Sequence, residues 1–266
     1  MENRLKKLIA LIVLTSVAAL TGCGGGGGGD DSGGTADGDP CSSLNPRITN
    51  GQVCSNEDSS PVALLALFDS RDQIYGICSG TLISKRKILT AAHCLEETAG
   101  IVALIAGEEL IVDAAVSNPL YDGQAGSPFD VAVLTLEVNS RASPVAILGS
   151  DLPKVSESIT IYGYGETESQ SETEDLKLRA AFMRIQALEN GNIVAAYNST
   201  GSSTCLGDSG GPAVIERNGE FVIAAVSTAV TAGSNCQEGS LAVFASVSTA
   251  INFSFITNNA PDVLVK

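Results

Sequence analysis

The chain has 266 residues, room for one or two globular units at roughly 100–200 residues each. Hydrophobic residues make up 44% and charged residues 17%, a balance that builds a buried core and excludes a wholly disordered chain. Acids outnumber bases 30 to 15, for a formal charge of −15 that repels phosphate backbones and so excludes nucleic acid as a partner. The single histidine, His93, excludes multi-histidine metal sites and any mechanism that needs two imidazoles.

The N-terminus reads as an address. Arg4, Lys6 and Lys7 form a basic region, and Leu8–Leu20 is an apolar run too short for a membrane span, which needs about 20 residues. It ends in Leu20-Thr21-Gly22-Cys23, which resembles a bacterial lipobox. That resemblance implies a signal peptide over 1–22, removed before Cys23, and acylation of Cys23. Gly24 follows the cysteine in place of the aspartate of inner-membrane retention, so an exported protein is expected, lipid-anchored to the bacterial cell envelope at the outer membrane or cell surface. Gly24–Gly29 and the Gly, Ser, Thr and Asp residues up to Asp39 bury too little apolar area to offset their ordering entropy, so 23–47 is expected to be a tether and propeptide.

With Cys23 lipidated, Cys41, Cys54, Cys78, Cys94, Cys205 and Cys236 remain. Export permits disulfides, and no Cys-x-x-Cys pair argues for zinc. The residues alone leave the pairing open.

From about residue 48 the texture changes. Short apolar runs at 62–68, 74–83, 87–92, 101–106, 110–116, 131–136, 159–164, 192–197, 212–215, 221–230 and 241–247 alternate with Gly, Pro, Asn, Asp or Ser. Many short strands punctuated in this way predict an all-β sandwich or barrel. A helix is predicted at about 248–258, and the acidic stretch 168–180 reads as a solvated loop. No internal repeat is obvious. Glu108, Glu109 and Asp113 make only a weak match to a calcium loop, and no metal site or cofactor is assigned.

Three islands carry chemistry: Leu89-Thr90-Ala91-Ala92-His93-Cys94, Phe129-Asp130-Val131-Ala132-Val133-Leu134, and Cys205-Leu206-Gly207-Asp208-Ser209-Gly210-Gly211-Pro212. A serine hydroxyl is a weak nucleophile and needs a base. Imidazole suits that task at neutral pH, and a buried carboxylate fixes its tautomer. Glycines around Ser209 free the backbone to aim N–H groups at a developing oxyanion. In their order, His93, Asp130, Ser209, these islands resemble the chymotrypsin-like (trypsin-family) serine proteases over about 48–258.

The resemblance implies two perpendicular six-stranded antiparallel β-barrels, about 48–147 and 148–247, within a protease domain over 48–266. It implies a catalytic triad of His93, Asp130 and Ser209, an oxyanion hole from the Gly207 and Ser209 N–H groups, and support of the aspartate by Ser227. It implies the pairs Cys78–Cys94 and Cys205–Cys236, and leaves Cys41–Cys54 as the third. Arg47-Ile48-Thr49-Asn50-Gly51 resembles an activation junction, although Thr49 and Asn50 depart from the family's valine and glycine. Cleavage there by an activating protease would give Ile48 an ammonium to pair with Asp208. The family's specificity pocket would take Ser203 at its floor and Ala229 and Ala242 in its walls, a neutral apolar site. Protein or peptide substrates and a monomer are expected. An inactive protease-like surface lipoprotein that only binds would show a broken triad, and an esterase or lipase usually carries Gly-x-Ser-x-Gly with its histidine last. All three triad residues are present here, and the histidine comes first in the chain, an order that argues against the esterase or lipase.

Overall fold

The computed structural model describes residues 60–165, 176–197, 207–230 and 241–266. The first six strands are β1 (Val62–Phe68), β2 (Ile74–Ser84), β3 (Lys87–Thr90), β4 (Gly100–Ile105), β5 (Glu108–Ser117) and β6 (Ala132–Leu136). They close an antiparallel barrel in the order β1-β2-β3-β6-β5-β4. The next six are β7 (Ser158–Gly163), β8 (Arg179–Glu189), β9 (Asn192–Tyr197), β10 (Pro212–Arg217), β11 (Glu220–Val230) and β12 (Leu241–Ser246). They close a second barrel in the cyclic order β7-β8-β9-β12-β11-β10. The two orders are the same once six is added to each strand number. The repeat is therefore one of topology, with no matching repeat in the residues. Closure pairs every strand on both sides and removes the exposed edges of an open sheet.

Burial follows the apolar pattern. β1 is a continuous apolar run, Val-Ala-Leu-Leu-Ala-Leu-Phe, and every one of its residues is buried. One part of it, with Leu64 and Leu65, joins the main core, while Ala66 and Phe68 pack with Val102 and Ile74 in a second, smaller cluster. A run buried throughout loses the alternation of a half-exposed strand and is recognisable only by its length and composition.

One strand escapes the sequence reading. β8 is not among the expected runs, and its first residues, Arg179 and Ala180, fall in the stretch read as a solvated loop. The segment Arg-Ala-Ala-Phe-Met-Arg-Ile-Gln-Ala-Leu-Glu is rich in helix formers, which mask its period of two. In the barrel Met183 and Ile185 are buried while Arg184 and Gln186 face solvent. Pairing with β7 and β9 on either side overrides the local preference.

Residues 145–149 link the barrels and are pinned to both. Val145 N–H donates to the Leu82 carbonyl in β2, and Leu148 N–H to the Ile223 carbonyl in β11. The C-terminal tail closes over this link: Ile147 N–H donates to Leu264, and Lys266 N–H returns to Ile147. The helix α1 (Ala250–Asn259) starts where the Thr249 side chain accepts from Asn252 N–H.

Asn252 is fully buried in the first turn of α1, and its side chain joins three segments. Its amide nitrogen donates to the Pro128 carbonyl at 2.7 Å and to Ser246 at 2.8 Å, and its oxygen accepts from Asn118 at 2.9 Å. Asn118 N–H in turn donates to the Val131 carbonyl. The loop that carries Asp130 is thus clamped on both sides of that residue.

Candidate active site

β3 ends at Thr90, and the chain turns through one 3₁₀ turn, Ala92–Leu95, which holds His93. A disulfide between Cys78 in β2 and Cys94 fixes this turn to the neighbouring strand. Asp130 sits just before β6, the partner of β3, so strand pairing brings it under the histidine. Its carboxylate is 1% exposed and grips His93 twice. Oδ1 accepts the His93 main-chain N–H at 2.9 Å, and Oδ2 lies 2.7 Å from the ring Nδ1. A carboxylate can only accept, so Nδ1 carries the proton and the lone pair of a neutral ring lies on Nε2. The histidine side chain is 27% exposed, so the ring reaches solvent while its partner does not.

The turn 207–211 lies between β2 of the first barrel and β11 of the second. Four of its five carbonyls accept hydrogen bonds. Gly207 O accepts from the Ser79 hydroxyl at 2.8 Å, and Ser209 O accepts from Ser79 N–H at 2.7 Å. Asp208 O accepts from Gly211 N–H, and Gly211 O from Ser227 N–H, both at 2.9 Å. Gly210 N–H donates to Ser227 O at 2.8 Å. The N–H groups of Gly207 and Ser209 donate to no group among the described residues. Ser209 is half-buried, and its carbonyl oxygen lies 3.8 Å from Cys94 Sγ, one residue beyond the histidine. Asp208 packs its carboxylate against Gly163 and Gly165 and accepts from Gly165 N–H at 2.8 Å.

Ser227 meets this turn through its main chain, as the bonds to Gly210 and Gly211 record. Ala229 and Ala242 lie on the paired strands β11 and β12, Ala229 opposite Val243 and Ala242 opposite Val230. Arg47, Ile48, Ser203, Cys23, Cys41, Cys54, Cys205 and Cys236 lie outside the described residues. Glu108 is held by Arg141, whose Nε and N–H each donate at 2.8 Å, and by the Ser140 hydroxyl at 3.0 Å. Burial alone would raise its carboxyl pKa, but these donors outweigh it and the net shift is downward. Cys78, His93 and Cys94 come within metal-binding reach of one another, but a disulfide leaves its sulfurs no thiolate to offer.

Sequence reasoning missed three side chains around the site. Ser79 contacts the turn across 128 positions of sequence, and nothing local to either segment announces that meeting. Tyr121 and Tyr75 brace the loop after the histidine, donating to the Glu96 carboxylate at 2.9 Å and to its carbonyl at 2.8 Å. Burial first, then the hydrogen bond to Glu96 and the charges of Asp130, Glu96 and Asp122, push the Tyr121 phenol up, so it stays a neutral donor.

A family model described as Trypsin matches residues 48–253, and the chain belongs to that family. It carries a trypsin-like serine protease domain. The chain is similar to "Trypsin" of Simulium vittatum, 28% identical over 66% of this chain and 81% of that one. It is similar to "Glucanase inhibitor protein 3" of Phytophthora infestans, 29% identical over 66% and 76%. It is also similar to "CLIP domain-containing serine protease B15" of Anopheles gambiae, 29% identical over 69% of this chain and 62% of that protein.

Gly210 is the tightest point of the turn. Its φ is +83°, and a Cβ there would overlap Thr90 Oγ1 and the Ser79 carbonyl oxygen. Gly210→Ala is therefore expected to displace the turn from the histidine strand and to lower the melting temperature by several degrees, about the effect of 1–3 kcal/mol. Differential scanning calorimetry, with labelling by a fluorophosphonate probe, measures both consequences. A variant that melts and labels like the wild type would contradict this packing.

Proposed function

We propose that the protein is a serine endopeptidase that hydrolyses peptide bonds through an acyl-enzyme, with His93, Asp130 and Ser209 as its triad. The observation that carries the reading is the buried Asp130 carboxylate, bonded to both the main chain and the ring of the only histidine, beside a turn held through the carbonyls of Gly207, Asp208, Ser209 and Gly211. In this reading Ser209 Oγ attacks the substrate carbonyl carbon while His93 Nε2 takes its proton. The Gly207 and Ser209 N–H groups stabilise the oxyanion of the tetrahedral intermediate. His93 then hands its proton to the leaving amine, the amine departs, and Ser209 is left as an ester. Water, deprotonated by the same imidazole, attacks the ester; the bond to Ser209 Oγ breaks, the imidazolium returns its proton to Oγ, and the carboxylic acid product leaves. Asp130 stays ionised throughout and stabilises the imidazolium; Ser227 is assigned to support it.

The chain is a zymogen in this reading. Cleavage after Arg47 frees the Ile48 amine, whose ammonium pairs with Asp208 and orders the turn that bears Gly207. The position of the Asp208 carboxylate, in hydrogen-bond contact with Gly165 N–H, supports a role for that group in ordering the turn. The substrates are proteins or peptides with small or medium apolar side chains before the scissile bond. A pocket floored by Ser203 and walled near Ala229 and Ala242 offers no charge to a buried Lys or Arg. Discrimination by apolar fit amounts to roughly 1–3 kcal/mol per methylene, so the preference is broad. The protein acts outside the cell membrane as a monomer, anchored through acylated Cys23 and the glycine tether. Disulfides Cys205–Cys236 and Cys41–Cys54 complete the exported domain.

A relative named as an inhibitor keeps a non-catalytic binding role in view, and mutants separate the two readings. Ser209→Ala and His93→Ala are each expected to lower kcat on peptide amides by about 10⁴–10⁶-fold with the fold intact by circular dichroism. Near-wild-type hydrolysis by either would remove the triad assignment. In the same assay, a peptide series varied only before the scissile bond should favour Ala, Val, Leu or Met, and a clear preference for Lys or Arg would overturn the neutral pocket. Arg47→Gln protein is expected to stay inactive after treatment with immobilised trypsin while the wild type gains activity; full activity of the uncut chain contradicts the zymogen. Cys23→Ser is expected to abolish fatty-acid labelling and release the protein from membranes, and labelling that persists would place the lipid elsewhere.

A further inference from the structure

We infer that Ser79, through its side-chain hydroxyl, is a positioning residue for the oxyanion-hole amide of Gly207; the inference rests on the serine endopeptidase reading above. Ser79 is completely buried in β2 and makes four hydrogen bonds. Its N–H donates to Ser209 O at 2.7 Å, and its carbonyl accepts from the Thr90 hydroxyl at 2.8 Å. Its own hydroxyl donates to Gly207 O at 2.8 Å and accepts from Tyr164 N–H at 3.0 Å. One residue of the first barrel therefore holds the carbonyls on either side of Asp208, while its own carbonyl is tied to the strand that leads into His93.

The hydroxyl matters for a reason the main-chain bonds do not share. Gly207 sits at φ +97° and has no Cβ, so side-chain sterics do not restrain its two flanking peptides. The hydrogen bond at its carbonyl supplies that restraint. With the carbonyl held, the Gly207–Asp208 peptide and the Gly207 Cα are fixed, which anchors one end of the preceding peptide, the one that bears the Gly207 N–H. The relay from Tyr164 N–H through the Ser79 hydroxyl to Gly207 O is buried, where such chains polarise and strengthen one another. Without the hydroxyl, Tyr164 N–H and Gly207 O both lose their partner, and the glycine peptide can turn away. The loss falls on the transition state, because only there does the Gly207 N–H meet a full negative charge. The nucleophile and its base stay where they are: Ser209 O is still held by the main-chain N–H of residue 79, and Asp130 still holds His93.

The test uses the full chain, treated with immobilised trypsin, as wild type, Ser79→Ala and Ser79→Gly. Active sites are titrated with a fluorophosphonate, and kcat is referred to titrated sites, so that a poorly folding variant is still measured on its folded fraction. Both variants are expected to lose about 10–100-fold in kcat on a peptide anilide, with KM within about 2-fold, a smaller loss than outright removal of an oxyanion donor. A second readout is the hemiketal formed by Ser209 with a ¹³C-labelled peptidyl chloromethyl ketone. Its hydroxyl titration midpoint should rise by about 1–2 pH units in the variants, because the oxyanion form is less stabilised. A residue that only supported the fold would lower the melting temperature and the titrated fraction and leave kcat per site and this midpoint unchanged. That result, with an active wild type, overturns the inference alone. A wild type that neither labels at Ser209 nor hydrolyses the anilide overturns the protease reading beneath it.

Discussion

The turn Gly207–Gly211 leads directly into β10 of the second barrel, yet two of its carbonyls are held by β2 of the first. Most features of the site depend on that crossing. Ser79 reaches it with both its main-chain N–H and its hydroxyl, and Gly210 fits against Thr90 and Ser79 with no room for a side chain. The serine is thereby held against the strand that presents the histidine. Were the two barrels joined only by their linker, Ser209 and His93 would share no fixed frame, since each belongs to a different closed sheet. Reaction geometry tolerates little such freedom, because a misplacement of about 1 Å can cost two orders of magnitude in rate.

The second constraint is the burial of Asp130. An ionised carboxylate removed from water costs several kcal/mol unless its lone pairs are met, roughly what removing one partner of a buried pair exacts. Here both oxygens are met by one residue, through the N–H and the ring of His93. The same two bonds that keep the carboxylate buried also fix the ring's tautomer and orientation. Behind it Asn252 and Asn118 anchor the loop to the C-terminal helix and the second barrel. The helix, remote from the chemistry in sequence, therefore helps to hold the aspartate in place.

Legibility in the sequence varied with how local each feature is. Strands such as β1 and β11 were readable because their apolar runs are bounded by turn residues. β8 was not, because Ala, Met, Leu and Gln carry helical preference and only pairing on both sides makes the segment extended. His93, Asp130 and Ser209 stood out because each lies in a short, unusual string, and their order pointed to one chemistry. Ser79 carried no such signal: a serine in a strand is commonplace, and its meaning comes from what faces it. The weak calcium-loop match at Glu108 has a local explanation that sequence could not supply, since Arg141 and Ser140 arrive from a segment some thirty residues away.

Reading along the chain is enough to give the strand-rich character of the domain, the three short strings that hold His93, Asp130 and Ser209, and the family to which they point. Those follow from composition, from the spacing of apolar residues and from short motifs, all of which are properties of neighbours along the chain. Folding in three dimensions adds that the two barrels repeat one strand order, that Asp130 is buried under His93, and that Ser79 reaches from one barrel to the turn of the other. These are meetings between segments tens of residues or more apart. They are fixed by closing the sheets and by pairing most of the polar groups that closure buries, conditions that no stretch of sequence states locally.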